Sequence, residues 1–129
     1  MPLPTDANID FLLCDAVRQN RDGKLDIAGY FPVPEVKLDP GAPLPAAINL
    51  TFVFVIKDGE GRFRGTFRIF DPLGKELHLQ DLKEVVKPAG QPHLMMLAVT
   101  LIPIVNSGNF TISLELDGQR FDRSVRIFQ

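Results

Sequence analysis

Apolar and polar residues alternate along most of the chain. Between Phe110 and Leu116 every second residue is apolar, and the residues between them are Thr, Ser and Glu. The stretch from Phe63 to Ile69 alternates in the same way with Arg and Thr. A period of two places the two sets of side chains on opposite faces of a β-strand, whereas a helix repeats every 3.6 residues. The pattern therefore predicts half-buried strands.

The stretch from Leu50 to Ile56 differs because it is apolar on both faces. Leu, Phe, Phe and Ile occupy its even positions, and Thr, Val and Val occupy its odd ones. β-Branched and aromatic residues favour strands, and a continuous apolar run is typical of a buried one. We expect this strand at the centre of a sheet.

Turn signals separate the alternating stretches. Asp-Gly, the strongest short hairpin signal, occurs at Asp22, Asp58 and Asp117, and Asp71-Pro72-Leu73-Gly74 is a further turn sequence. Short strands joined by hairpins are typical of an all-β, antiparallel β-sandwich, either immunoglobulin-like or a related Greek key. About eight strands are predicted: Asp10–Arg18, Lys24–Phe31, Ala47–Lys57, Arg62–Asp71, Glu76–Leu82, His93–Ile102, Asn109–Leu116 and Arg120–Phe128.

Two segments do not follow this pattern. The residues from Asp81 to Lys87 could form a helix of at most two turns, which Pro88 would end. The segment from Pro32 to Pro45 holds five prolines, and it is predicted to be an extended crossover between sheet edges. No linker divides the sequence, so residues 1–129 are predicted to form a single β-sandwich domain.

Chain length and charge limit the classes of partner that the protein is expected to bind. The chain has 129 residues, with 16 acidic and 14 basic side chains and a formal net charge of −2. A strongly basic nucleic-acid clamp is thus excluded, and the aromatic residues have inward parity, so no nucleic-acid partner is expected. The longest apolar stretch, Leu94 to Val105, is too short to span a bilayer, and the N-terminus lacks a signal peptide pattern. We expect a cytoplasmic protein with no membrane partner.

Residues for catalysis are scarce. Cys14 is the one cysteine and is expected in the core, and the two histidines, His78 and His93, are far apart in sequence. His78 is expected to face solvent. With no metal-ligand spacing, phosphate loop or nucleophile motif, the sequence predicts no catalytic, cofactor-binding or metal-binding residues.

Arginines provide the one candidate surface. Arg64 and Arg68 project from one face of a predicted strand, and Arg126 projects from the polar face of the last strand. If these strands are neighbours, the three could bind an anion or an acidic partner. The alternative is a solvated face with cross-strand ion pairs, for instance to Asp122 or Glu115.

Loop aspartates provide a second alternative. Asp22, Asp58, Asp71 and Asp117 could bind calcium at one end of a sandwich. Three of the four precede glycine in hairpins, where turn geometry alone explains them.

The first half of the chain carries a family resemblance. Phe-Leu-Leu-Cys-Asp from Phe11, Asp-Gly-Lys-Leu from Asp22 and Ala-Gly-Tyr-Phe from Ala28 resemble a family of small uncharacterised bacterial proteins, as does the Asp71 turn. The resemblance implies a compact β-sandwich over most of the chain. It implies no activity, because the shared residues belong to turns and core.

These observations favour a non-catalytic binding or assembly module of a bacterial cell. An open sandwich leaves edge strands that must be blunted or paired, so we expect a protein partner or self-association as a homodimer. Two alternatives stay open: an anion-binding protein or enzyme that uses the arginine cluster, and a calcium-dependent binding module.

Overall fold

A computed structural model of the chain describes residues 3–41 and 43–129. Met1, Pro2 and Ala42, the last within the predicted crossover, lie outside the described residues. The described backbone forms a 3₁₀ turn at Asp6–Asn8 and ten strands. In chain order the strands are β1 (Ile9–Cys14), β2 (Ala16–Gln19), β3 (Leu25–Ala28), β4 (Glu35–Lys37), β5 (Ala46–Ile56), β6 (Gly61–Phe70), β7 (Glu76–Lys87), β8 (Leu94–Ile104), β9 (Gly108–Leu116) and β10 (Gln119–Phe128).

The ten strands form three open sheets. The smaller of the two main sheets has the order β1-β5-β8, the larger has the order β4-β10-β9-β6-β7, and β2 pairs with β3 alone. All pairs are antiparallel except β4 with β10, which is parallel. The predicted all-β class with antiparallel sheets is confirmed, and the predicted count of about eight strands is corrected to ten.

The two main sheets share one hydrophobic core. Phe67 of β6 lies 5.9 Å from Phe52 and 6.3 Å from Phe54, both of β5, measured between ring centroids. All three rings are buried. Because β5 and β6 belong to different sheets, these contacts join the inner faces of the two sheets. Strand β5 lies at the centre of the three-stranded sheet, as its two apolar faces predict.

The predicted strand Asp10–Arg18 is wrong, because the chain leaves the first sheet at Asp15. The backbone N–H of Asp15 donates to the carbonyl of Ala28 at 3.0 Å. Opposite it, Gly29 adopts a φ of +65°, and a Cβ there would clash with the Asp15 side chain. The residues after Asp15 therefore pair with β3 in a separate hairpin instead of prolonging β1.

The suggested helix from Asp81 to Lys87 is the second half of β7. Val85 and Lys87 are buried and alternate with exposed residues, which is a strand period. A bulge interrupts the pairing of β7 with β6: Gly65 is opposite Lys83 and Thr66 is opposite Asp81, which leaves Leu82 unmatched. Lys83 has a φ of +58°. This bulge breaks the alternation and makes the segment resemble a short amphipathic helix in sequence.

The proline-rich crossover contains a short strand. Glu35–Lys37 form β4, and Val36 is buried opposite Ile127 of β10. Proline has no backbone N–H to donate to a neighbouring strand. The paired residues Glu35–Lys37 lie between Pro34 and Pro40 and contain no proline, so the pairing is intact. The crossover thus closes one edge of the larger sheet.

Replacing Phe67 with alanine tests the shared core. Phe67→Ala removes a buried ring that contacts both Phe52 and Phe54, so we expect a loss of about 3–5 kcal/mol in the free energy of unfolding. The measurement is urea denaturation followed by circular dichroism. The matched control is Leu73→Ala, an exposed turn residue, which should change stability by less than about 0.5 kcal/mol. Equal losses in the two variants would contradict a core centred on Phe67.

Candidate functional site

The outer face of the larger sheet is charged, and its arginines are paired with acids. On β6, Arg64 Nη2 lies 3.5 Å from Asp81 Oδ2. Arg68 lies between two carboxylates, with Nε 3.5 Å from Glu76 Oε1 and Nη1 3.6 Å from Glu115 Oε2. The same face therefore carries both signs of charge in neighbouring strands.

Arg126 does not join the other two arginines. It lies on β10, and β9 separates that strand from β6. Its Nη1 is 4.0 Å from Glu35 Oε1, and its guanidinium lies over the Phe128 ring at 4.4 Å from the centroid. Of the three predicted site residues, Arg64 and Arg68 share one strand face and Arg126 lies two strands away.

A shallow cleft of about 320 Å³ lies beside Arg64. Its lining comes from β6 and β7: Arg62, Phe63, Arg64, Lys83 and Glu84. Arg62 Nη1 is 3.2 Å from Glu84 Oε1 across this cleft. The cleft is open to solvent and mixed in charge, so an anion bound there would compete with the existing ion pairs.

Three of the four loop aspartates bind protein groups. Asp71 Oδ1 accepts from the N–H groups of Leu73 and Lys75 at 2.9 and 2.8 Å, and Asp117 Oδ1 accepts from the N–H of Arg64 at 2.7 Å. The Asp71 bonds fix its own turn, whereas the Asp117 bond ties the turn between β9 and β10 to β6. Asp58 does a different task, which is to hold the N-terminal segment.

Asp58 anchors the residues before β1. Its Oδ1 accepts from the Thr5 N–H at 3.0 Å, and its Oδ2 accepts from the Thr5 hydroxyl at 2.6 Å and from Asn8 Nδ2 at 3.2 Å. Burial by itself raises the pKa of Asp58, but the bonds from Thr5 and Asn8, together with the charge of Lys87, outweigh it. The pKa is therefore lower than 3.8.

Cys14 is buried and His78 is half-buried, with its ring centroid 5.9 Å from that of Phe67. Cys14 is fully buried, as predicted, and its Sγ donates to the Thr51 carbonyl at 3.8 Å. Burial, followed by the charge of Asp15, raises the pKa of the thiol, so it is a poor nucleophile. The expectation that His78 faces solvent is wrong. A register shift between Ile69 and Phe70 places His78 opposite Ile69 on the inner face.

Two kinds of feature are absent from residues 3–41 and 43–129. No three side chains of His, Cys, Asp or Glu are grouped so that they could hold a metal ion. No helix among these residues has the length and apolar character needed to cross a membrane.

The outer face of the smaller sheet is apolar where it reaches β8. Alternate residues of this strand are buried, and the others point outward. The exposed fractions of Val99 and Leu101 are 72% and 60%. The apolar row consists of Met95, Leu97, Val99, Leu101 and Val105.

No charge interrupts the apolar row or its surroundings in sequence. From Pro88 to Leu114 the chain has no Asp, Glu, Lys or Arg. Across the sheet, Val53 of β5 and Leu12 of β1 share this outer face by register, opposite Leu97 and each other. Val53 is fully buried and Leu12 is half-buried, so the large exposed apolar side chains of this face are those of the row at the β8 end.

Sequence reasoning did not identify the apolar row. The sequence predicts a strand at His93–Ile102 and a stretch from Leu94 to Val105 too short to span a bilayer, but neither prediction says which face of the strand is exposed. Its apolar residues at odd positions would be unremarkable in a central strand. They become a surface because β8 is the last strand of its sheet.

Comparison with known proteins identifies a family for the chain but no function. Residues 9–125 match the sequence profile of a family described as "Family of unknown function (DUF6941)". The predicted resemblance to a family of uncharacterised proteins is confirmed, without a bacterial origin being shown. No curated protein matches the chain.

One solved structure corrects a predicted partner. The alkylpurine DNA glycosylase AlkC of Pseudomonas fluorescens, bound to DNA containing an abasic site analog, aligns with a TM-score of 0.49 and 11% identity. The alignment covers 95% of this chain but 31% of that chain, so the chain spans about a third of the glycosylase's length. This match contradicts the prediction that the protein has no nucleic-acid partner. The similarity is too low to carry an argument for DNA binding here.

Asp58→Asn tests the N-terminal anchor. The folded pKa lies below 3.8, so the unfolded state binds more protons in acid, and the stability from the carboxylate is lost as pH falls through the folded pKa. We expect the variant to lose about 1–3 kcal/mol in the free energy of unfolding near neutral pH, from weakened charge-assisted bonds. The loss should shrink in urea titrations below pH 3.8.

The matched control is Asp22→Asn, at an exposed hairpin residue. It should change stability by less than about 0.5 kcal/mol at either pH. An equal loss for Asp58→Asn in acid and at neutral pH would contradict the assigned role of the carboxylate.

Proposed function

The chain belongs to this family of unknown function, and we propose that it is a non-catalytic assembly module that associates with a second copy of itself along β8. The observation that carries the proposal is the exposed, uncharged apolar row of Met95, Leu97, Val99, Leu101 and Val105. Contiguous exposed apolar patches on soluble proteins mark interaction sites.

The finer architecture is part of the proposal. We propose that the two main sheets form an immunoglobulin-like sandwich, supported by the contacts of Phe67 with Phe52 and Phe54. In such a sandwich each sheet has one inner and one outer face. The charged outer face of the larger sheet is suited to water, and the apolar outer face of the smaller one is suited to a partner.

A second copy fits the apolar row on grounds of charge. A partner surface with charges would meet no complementary group between Pro88 and Leu114, whereas two copies bring no like charges together there. The net charge of −2 adds little repulsion between copies. A two-fold axis makes the same patch complementary to itself.

The energetics favour a reversible dimer. Full burial of a Val, Leu or Met side chain is worth about 1.5–3 kcal/mol, and these side chains are already about half covered. Each would contribute roughly 1 kcal/mol, or about 10 kcal/mol for the row in both copies. Against an association cost of about 4–15 kcal/mol this leaves a surplus of at most about 6 kcal/mol. We therefore expect a dissociation constant of the order of tens of micromolar or weaker.

A pair of lysine substitutions tests the assembly surface. Leu101→Lys places a charge in the apolar row, where Leu101 is 60% exposed, and should weaken self-association roughly 100-fold or more. The matched control is Leu79→Lys, at a leucine that is 56% exposed on β7 at the outer face of the other sheet. Sedimentation equilibrium of both variants and the parent gives the dissociation constants.

We expect Leu79→Lys to associate as the parent does. Circular dichroism should show both variants folded, because both positions are on the surface. A parent chain that stays monomeric would contradict the assembly function. So would equal weakening by the two lysines, since it would place the contact outside the apolar row.

A further inference from the structure

The two main sheets have four outer edges, and three of them are blocked. Strand β4 is only three residues long, Glu35–Lys37, and two of these are charged. Short, charged edge strands are a common protection against pairing with another chain. The β4 edge therefore offers little backbone for a partner.

The β7 edge is protected by a bulge and by charge. Leu82 is unmatched in the ladder, and Lys83 follows with a φ of +58°, which bends the strand. Glu76, Asp81 and Glu84 are also on this strand and exposed. Both features are known devices against edge-to-edge pairing.

The β1 edge is covered by the chain itself. The N–H of Phe31 donates to the carbonyl of Leu13 at 2.9 Å, and the N–H of Asp15 is bound to Ala28. At the other end of β1, Arg123 Nη2 donates to the Ile9 carbonyl at 2.8 Å. A partner strand would have to displace both contacts, so the two ends of the β1 edge are occupied.

The β8 edge is neither short, charged nor bulged, and its one protection is Pro103 near the C-terminal end of the strand. All eleven of its residues, Leu94–Ile104, are in continuous register with β5, with no bulge. Among residues 3–41 and 43–129, β8 pairs with no strand besides β5. It carries no charge. A long, regular, apolar edge is a template for pairing with another strand.

Pro103 indicates which backbone groups point to the free edge. Pro103 is opposite Ala47 of β5 and has no N–H to donate to that strand. A proline is tolerated in a strand where the N–H would point to the free edge, so the backbone groups at position 103 point away from β5. Backbone direction alternates along an antiparallel strand, so Leu97, Val99 and Leu101 share this outward direction. Their side chains also belong to the apolar row.

We propose that two copies pair antiparallel along their β8 edges, which joins the two β1-β5-β8 sheets into one six-stranded sheet. This inference rests on the proposed self-association and specifies its geometry. Backbone hydrogen bonds from Leu97, Val99 and Leu101 fix the strands, and the apolar rows of the two copies meet side by side across the seam.

Substitution of Val99 separates backbone pairing from side-chain contact. Val99→Pro keeps an apolar side chain but removes, in each copy, the N–H that points to the free edge, so it should weaken self-association at least thirtyfold. Val99→Ala keeps the N–H and removes two methyl groups in each copy, so it should weaken self-association less than about tenfold. Sedimentation equilibrium measures both, with circular dichroism to show that each variant is folded.

Amide hydrogen exchange of the unmodified chain is the second measurement. It tests pairing of the β8 edges without a variant, and so serves if Val99→Pro does not fold. At high concentration the amides of Leu97, Val99 and Leu101 should exchange at least tenfold more slowly than in dilute solution. The amide of Thr100, which points to β5, should not change with concentration.

The outcomes separate this inference from the assembly function. If the parent associates while a folded Val99→Pro variant associates equally well, or the three amides stay unprotected, edge pairing is overturned and the assembly surface stands. If the parent is monomeric at all concentrations, both are overturned. Protection of the three amides with selective loss in Val99→Pro supports both.

Discussion

The smaller sheet has two faces, and the larger sheet covers only one of them. The central strand β5 is apolar on both sides, with Phe52 and Phe54 packed against Phe67 on the inner side. On the outer side, Thr51 and Val53 of β5 are buried as well, and the exposed apolar side chains are those of the row at the β8 end. This row either meets a partner or exposes apolar surface to water at a cost.

The distribution of charge follows the same division. Arg64, Arg68 and Arg126 all lie on the larger sheet, and each has a carboxylate within 4.0 Å. Exposed ion pairs of this kind contribute little to stability, but they keep a sheet face soluble. On the smaller sheet no such pairs interrupt the apolar row. The two outer faces are thus chemically unlike, and the proposed assembly uses the one that carries the uncharged row.

Much of the fold can be predicted from local sequence. Alternation located most strands, and the two apolar faces of Leu50–Ile56 placed β5 at a centre. Asp-Gly located the β2–β3 and β9–β10 hairpins, but the hairpin predicted at Asp58 is wrong, because that turn joins β5 to β6 of the other sheet. The break at Asp15 and the bulge at Leu82 were not predicted, because each depends on backbone bonds or register with residues distant in sequence.

The candidate site could be predicted less well, for a related reason. Arg64 and Arg68 were placed correctly on one face of one strand, but their distance from Arg126 depends on the strand order. The apolar row of β8 has the composition of an ordinary buried strand. Only its place at the end of the sheet exposes it, and strand order is set by contacts between segments far apart in sequence.

Static light scattering of the unmodified chain over a wide concentration range tests the central idea most directly, because it needs no variant and no knowledge of the contact. If the apolar row of the smaller sheet assembles copies of the chain, the mass should rise from 14.4 kDa towards about twice that value, with a midpoint of the order of tens to hundreds of micromolar. A mass that stays at 14.4 kDa up to about 1 mM would contradict it.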